Sequence, residues 1–264
     1  MPESHKISVI TPSLNQASFI ERTIRSVLEQ EEVLFKEYIV IDGASNDDTH
    51  TILQKYTGRI KWISEPDNGQ ADAINKGIAM ATGEIIGWLN SDDVYAPGAL
   101  QKVIHYFDEH PECQWLYGKC KIIDEEDKEI RKWLTKYKDF RIRKFTKESL
   151  LIENCISQPS VFFRKSAFNK VGPLATGLPF AMDYDLWLRF ARDYHPGIVP
   201  DYLAGFRVHM HSKSNRNSRE QFIEQYHIHE KYDKRRVYLF LHRIYMHTTI
   251  YGYWLIAQLR NRKS

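Results

Sequence analysis

The sequence predicts an α/β fold, in which a mostly parallel sheet flanked by helices on both faces is followed by a C-terminal helical extension. Two observations predict it. Through residues 1–112, short apolar runs rich in Ile and Val alternate with stretches whose apolar residues recur at helical spacing. After residue 214 the chain turns basic and aromatic.

The elements follow in order. Residues 6–12 (KISVITP) read as a buried strand because they are rich in Ile and Val. Residues 18–30 place Phe19, Ile20, Ile24, Val27 and Leu28 on one helical face. Residues 35–41 are a second strand, 47–56 a second helix and 59–64 a third strand. Residues 69–81 form a helix that stops at Gly83, glycine being a frequent helix terminator. Residues 84–89 are a fourth strand, and 97–110 a helix with Pro97 in its first turn. Beyond these, 114–123 and 160–164 read as strands, and 183–192 as a helix carrying apolar Leu186, Trp187 and Phe190. Residues 202–208 read as a further strand, and the chain from Glu220 as mostly helix. The charge-rich stretch 124–149 reads as a hairpin or a loop.

Composition sets limits on function. With 264 residues, 42% hydrophobic and 27% charged, the chain can bury a full core and is not disordered. Three cysteines, Cys113, Cys120 and Cys155, make no C-x-x-C pair, which argues against a zinc or disulfide framework and for reduced thiols in the cytoplasm. The N-terminal residues show no apolar signal core, and no run of 18 uncharged apolar residues occurs, so no spanning helix is expected. Residues 213–264 hold 11 Lys and Arg against 4 Asp and Glu, whereas the remainder is net acidic. That acidic remainder argues against a nucleic-acid partner.

Four polar clusters follow the first four strands. They are residues 11–15 (TPSLN), 42–49 (DGASNDDT), 65–70 (EPDNGQ) and 90–93 (NSDD). Each alone reads as turn and helix-cap chemistry. Together they fall at one edge of one sheet, and ligands bind beyond the carboxyl ends of such strands. In the last cluster Asp92 and Asp93 are adjacent, and two uncompensated carboxylates repel. A hard divalent cation, Mg²⁺ or Mn²⁺, would resolve this and could hold a diphosphate. The alternative is that Asp93 caps the helix beginning near Pro97 while Asp92 is solvated.

Taken in order, these motifs resemble the family 2 glycosyltransferases, which have the Rossmann-like GT-A fold. Residues 11–15 resemble the family's opening strand-to-loop signature, 42–49 its Asp-Asp-Gly-Ser segment, and 90–92 its Asp-x-Asp position. Residues 181–187 (AMDYDLW) resemble its Glu-Asp motif and 207–209 (RVH) its Arg-x-His element. The resemblance implies residues 1–214 as a GT-A domain, with a nucleotide-sugar half to about 112 and an acceptor half from about 113, and 215–264 as a basic, aromatic helical extension.

The resemblance also implies roles. Thr11, Pro12, Ser13 and Asp42 would contact the nucleoside, and Asn90 and Ser91 the ribose and diphosphate. Asp92 would be the metal ligand, with His209 at the metal or diphosphate, and Asp183 the general base that deprotonates an acceptor hydroxyl. The chain departs from the family at Asn90, at Met182, and at Ile74 where relatives carry a basic residue. Gln70, Asp72 or Lys76 could take over that contact.

Other readings stay open from the residues. Asp183 could be a helix cap, and His209 and His211 solvated loop histidines. The extension could lie on an anionic bilayer or pack on the domain with its basic face in water. The function implied is transfer of a sugar from a nucleoside diphosphate sugar to a saccharide or lipid-linked acceptor, inverting and metal-dependent, in polysaccharide or glycolipid synthesis at the inner face of the membrane. A sugar-phosphate nucleotidyltransferase and a non-catalytic sugar-nucleotide-binding protein are the rivals. The absence of Gly, Lys and Arg from residues 11–20 counts against the first; Asn90 and Met182 favour the second.

Overall fold

The computed structural model describes residues 7–30, 36–210, 212 and 217–261. His211 lies outside them. The first half follows the expected alternation: β1 (Ile7–Ser13), α1 (Ile20–Leu28), β2 (Lys36–Asp42), α2 (Thr49–Lys55), β3 (Lys61–Ser64), α3 (Gln70–Met80) and β4 (Ile85–Trp88). These strands align in the order β3-β2-β1-β4, all parallel.

Every residue of β1 is buried, as a strand covered on both faces requires. Its alternate side chains serve two cores. Ile10, Ile39 and Ile41 pack with Ile74 and Ile78 of α3 on one side. Ile7, Val9 and Val40 pack with Ile20, Ile24 and Val27 of α1 on the other. α3 lies so close to the sheet that a Cβ at Gly77 would run into Ile10.

The second half contains β5 (Val94–Tyr95), α4 (Ala99–Glu109), β6 (Trp115–Ile123), α5 (Lys132–Arg141), α6 (Lys147–Ile152), β7 (Val161–Arg164), α7 (Lys165–Val171), α8 (Met182–Asp193) and β8 (Gly197–Arg207). The sheet continues from β4 as β7-β6-β8-β5. β7 runs antiparallel to both neighbours, β8 parallel to β6, and β5 antiparallel to β8. The sheet is therefore parallel through four strands and mixed beyond them. α8 anchors this half, with Trp187 stacked on Trp115 at 5.9 Å.

Several elements differ from expectation. Residues 124–149 hold a turn bridged between Ile123 and Glu129, then α5 and the start of α6. α5 carries no inward apolar stripe, because Trp133, Tyr137 and Phe140 are exposed. β5 is two residues long, too short to show a period. α4 starts at Ala99, after Gly98 in the left-handed region. β8 starts at Gly197 rather than at Tyr202. Pro200 and Asp201 break its pattern, and a shift of register against β6 absorbs them.

The extension forms two helices, α9 (Ser218–Tyr232) and α10 (Arg236–Asn261). α9 packs against α8, and α10 against α6 and α9. Ile228, His229, His242 and Met246 are buried in these contacts. The His242 ring nitrogen Nδ1 lies 2.8 Å from the Leu151 carbonyl oxygen. The Tyr232 hydroxyl donates to Asp185 Oδ1 at 2.8 Å. Of the two arrangements open from the sequence, packing on the domain is the one these contacts display.

That last bond is testable. Tyr232→Phe removes one hydrogen bond to a buried carboxylate, which costs about 1–3 kcal/mol. For a chain of this size each kcal/mol lowers Tm by roughly 2–4 °C. Thermal unfolding measures it, and an unchanged Tm would mean that α9 docks without help from Asp185.

Candidate active site

The end of β1 and the segments after β3 and β4 open onto one cavity of about 420 Å³. The loop after β1 is clamped to the loop after β2. Asn15, at φ 54°, accepts the Asn46 N–H through its side chain at 2.9 Å. Its own N–H donates to Ser45 Oγ at 2.7 Å, and the Ala17 N–H donates to Asp47 at 2.9 Å. The cap-and-turn reading is therefore correct for part of these clusters.

Three expected nucleotide contacts do not line the cavity. Thr11 is fully buried, and its hydroxyl accepts from Tyr38 at 3.0 Å. The Asp42 carboxylate is also fully buried and accepts from the Ser45 N–H, the Ser45 hydroxyl and the Ser64 hydroxyl. It ties the end of β2 to the end of β3, an Asx-type turn with one added strand. Asp72 accepts the Asn68 N–H at 3.0 Å and pairs with Lys76 on the outside of α3.

Pro12, Ser13, Gln70, Asn90, Ser91 and Asp92 do line the cavity. Ser13 Oγ is buried with no partner among the described residues. Asp67, from the third polar cluster, joins them without having been a candidate contact. A Cβ at Gly43 would come within 2.6 Å of Asp67 Oδ2, so glycine makes room for this carboxylate between β2 and β3.

Asn90 sits in a closed ring of amides. Its Oδ1 accepts from the Trp88 indole at 2.9 Å and from Gln70 Nε2 at 2.8 Å. Its Nδ2 donates to Gln158 Oε1 at 3.0 Å, and Gln158 Nε2 donates to the Trp88 carbonyl at 2.6 Å. The indole can only donate, which fixes which end of the Asn90 amide is oxygen. Gln158 was missed: it lies 68 residues from Asn90, in a Gln-Pro-Ser stretch that reads as loop.

The adjacent aspartates diverge. Asp93 turns inward, where its Oδ1 accepts the Arg207 N–H at 2.8 Å. Burial, reinforced by neighbouring Asp92, pushes its carboxyl well above the usual range. The alternative cap role of Asp93 is not observed, since the N-cap of α4 is Gly98. Asp92 faces the cavity, and its Oδ2 lies 3.0 Å from His209 Nε2. The His209 ring packs on Phe19 with centroids 4.5 Å apart, so it is not a solvated loop residue. Among the described residues no group of three or more His, Cys, Asp or Glu converges. One carboxylate and one imidazole fit a divalent cation that completes its shell with phosphate and water.

Asp183 lies in the first turn of α8 and lines the opposite side of the cavity. It does not cap the helix; the N-cap is Ala181, and Asp183 Oδ1 accepts the Tyr184 N–H at 2.8 Å. Burial pushes its carboxyl up to about 6. Asp185 points the other way, into a buried ion pair with Arg189 at 2.9 Å. Met182, Ser212 and Gln221 of α9 complete the wall.

Comparison with known proteins places the chain among glycosyltransferases. An uncharacterized glycosyltransferase of Rickettsia prowazekii is 26% identical over 229 residues, covering 83% of this chain and 69% of that protein. One of Mycobacterium tuberculosis is 30% identical over 210 residues, covering 78% of this chain and 76% of that protein. Among solved structures, a mannosyltransferase of Pyrobaculum calidifontis in complex with GDP-Man and Mn²⁺ superposes with a TM-score of 0.70 at 17% identity, covering 93% of this chain and 71% of that one. S. aureus TarS in complex with UDP-GlcNAc superposes with a TM-score of 0.66 at 17% identity, and this chain spans 65% of its length. That fit covers 84% of this chain. The sheet of these two neighbours is the GT-A sheet described above, and the model of glycosyl transferase family 2 matches residues 8–172, so the chain belongs to that family.

Proposed function

We propose that the chain transfers a glycosyl unit from a nucleoside diphosphate sugar to an acceptor hydroxyl, with inversion at the anomeric carbon. The observation that carries this reading is one cavity holding two kinds of group. Asp183, a carboxyl with a pKa of about 6, faces it from α8. Asp92 faces it from the strand ends, where α/β sheets bind their ligands, with the buried His209 behind it at 3.0 Å. The GDP-Man and Mn²⁺ of one structural neighbour and the UDP-GlcNAc of another support a nucleotide-sugar donor.

In this reading Asp183 takes the proton of the acceptor hydroxyl. The acceptor oxygen bonds to the anomeric carbon, and the bond to the diphosphate breaks with its electrons leaving on the diphosphate. A base with a pKa near 6 is ionised at neutral pH and still basic enough to pull the proton in the transition state. On the donor side, Ser13 Oγ and Asp67 offer polar groups to the nucleoside, while the amide ring around Asn90 holds the floor. Asp92 and His209 would hold Mg²⁺ or Mn²⁺, which when bound offsets charge developing on the leaving diphosphate.

We also propose that the acceptor is lipid-linked, as in polysaccharide or glycolipid synthesis, and is met at an anionic bilayer surface. No helix among the described residues is long and apolar enough to cross a membrane. α10 nevertheless exposes Val237, Phe240, Leu241, Ile244 and Tyr251 along one stripe, and contains no acidic residue. α5 also exposes Trp133 and Phe140 beside Lys132 and Lys136. Aromatic stripes flanked by cations suit the headgroup region of anionic lipid.

Four outcomes are expected. Asp183→Asn lowers kcat by roughly a hundred- to ten-thousand-fold with donor affinity kept; nucleoside diphosphate release from UDP- and GDP-linked sugars reads it. In the unaltered protein, kcat/KM falls as pH drops through about 6, because the base is then protonated. Equal loss of donor binding in Asp183→Asn would mark a structural role. Asp92→Asn weakens Mn²⁺-dependent binding of UDP or GDP by at least roughly 10-fold in calorimetry, and unchanged affinity would refute the cation site. In co-sedimentation, the protein pellets with phosphatidylglycerol-containing vesicles at low salt, less at high salt, and less again as Phe240→Ser/Ile244→Ser. Protein that stays in the supernatant at low salt would end the membrane proposal.

A further inference from the structure

The turn that delivers Asp183 to the cavity receives no side-chain cap from its own N-cap residue. α8 begins at Met182 after the N-cap Ala181, which makes no such bond. The N–H groups of Phe180 and Ala181 both donate to one oxygen of Glu224, at 3.0 and 2.7 Å. Glu224 lies on α9, 44 and 43 residues further along the chain. Backbone N–H groups at a helix start carry partial positive charge, and a carboxylate is the acceptor they bind best.

Two neighbours sharpen the point. Position 182, beside the proposed base, holds the buried, apolar Met182. Gln221, one turn before Glu224 on the same helix, lines the cavity itself. α9 is thus a wall of the site, and it is fastened by Tyr232 to the far face of α8.

We propose that Glu224 is a positioning residue for Asp183: from α9 its carboxylate holds the Phe180–Ala181 turn and stands as a second negative charge behind the base. The inference rests on reading Asp183 as that base. It makes the C-terminal extension part of the acceptor side of the site. Among the described residues, the charged groups acting on Asp183 come from two other elements. Burial is the main reason its carboxyl stands near 6; Lys138 of α5 draws it down and Glu224 of α9 pushes it up.

The test separates this from the reading it rests on. Carbon-13 shifts of the side-chain carboxyls are followed against pH through about 6, with the Asp183 signal assigned by its absence in Asp183→Asn. Glu224→Gln keeps an oxygen for both N–H groups and removes the charge. Its Asp183 is expected to titrate at lower pH than in the unaltered protein, and the acidic limb of kcat/KM for donor hydrolysis with Mn²⁺ moves the same way. Glu224→Ala also loses the acceptor, and its kcat is expected to fall on the order of 10-fold, as a displaced reacting group would produce. An Asp183 that titrates at the same pH in Glu224→Gln overturns the inference, whether or not Glu224→Ala folds. Undiminished turnover in Asp183→Asn would instead overturn the base assignment, and the titration would still report on Glu224.

Discussion

A guanidinium taken out of water must find acceptors for its N–H groups, or it destabilises the fold by several kcal/mol, on the order of the cost of an unpaired buried charge. Arg207 is fully buried at the end of β8. Its Nε donates to the Asp92 carbonyl and its Nη1 to the Asp124 carbonyl, both at 2.7 Å. Asp127 pairs with it, and the Phe19 ring lies 5.3 Å from its guanidinium carbon. Meeting these demands ties β8 to the loops after β4 and β6. His209, two residues on, then reaches Asp92 while its ring rests on the same Phe19. The pair that would hold a cation is a consequence of satisfying Arg207.

The same contact changes the electrostatic argument drawn from the sequence. Adjacent Asp92 and Asp93 imply repulsion that a cation relieves. The fold relieves it first by burying one of the two. Asp93 goes inward, accepts the Arg207 N–H, and is held by burial toward its neutral form. The charge offered to the cavity is therefore that of Asp92, supported by His209. A cation at this place would depend on donor phosphates for much of its coordination.

What was legible follows from this division of labour. The four strand-end clusters could be placed because each lies directly after a strand with a clear apolar pattern. Within them, the sequence could not tell which side chains serve the protein. Asp42 and Asp47 are consumed by neighbouring loops, whereas Ser13, Gln70 and Asp92 face the cavity. Gln158, Gln221 and Glu224 were invisible for another reason. Their partners come from distant parts of the chain, and a polar residue on an exposed-looking helix or loop carries no periodic mark. α5 escaped notice because its large apolar residues face outward, so no inward stripe announces a helix.

The departure at Asn90 has its explanation in the same kind of long-range bonding. Its oxygen already receives the Trp88 indole and Gln70, while its amide nitrogen faces Gln158 Oε1. An aspartate here would set an oxygen against that oxygen. Gln158 could turn its amide to donate instead, but its Nε2 would then leave the Trp88 carbonyl, a buried acceptor, without a partner. The ring is satisfied by an amide and is strained by a carboxylate. Position 90 therefore acts in this chain as a structural link between β4, α3 and the segment before β7. Two residues on, Asp92 is left outside that ring and points its carboxylate into the cavity.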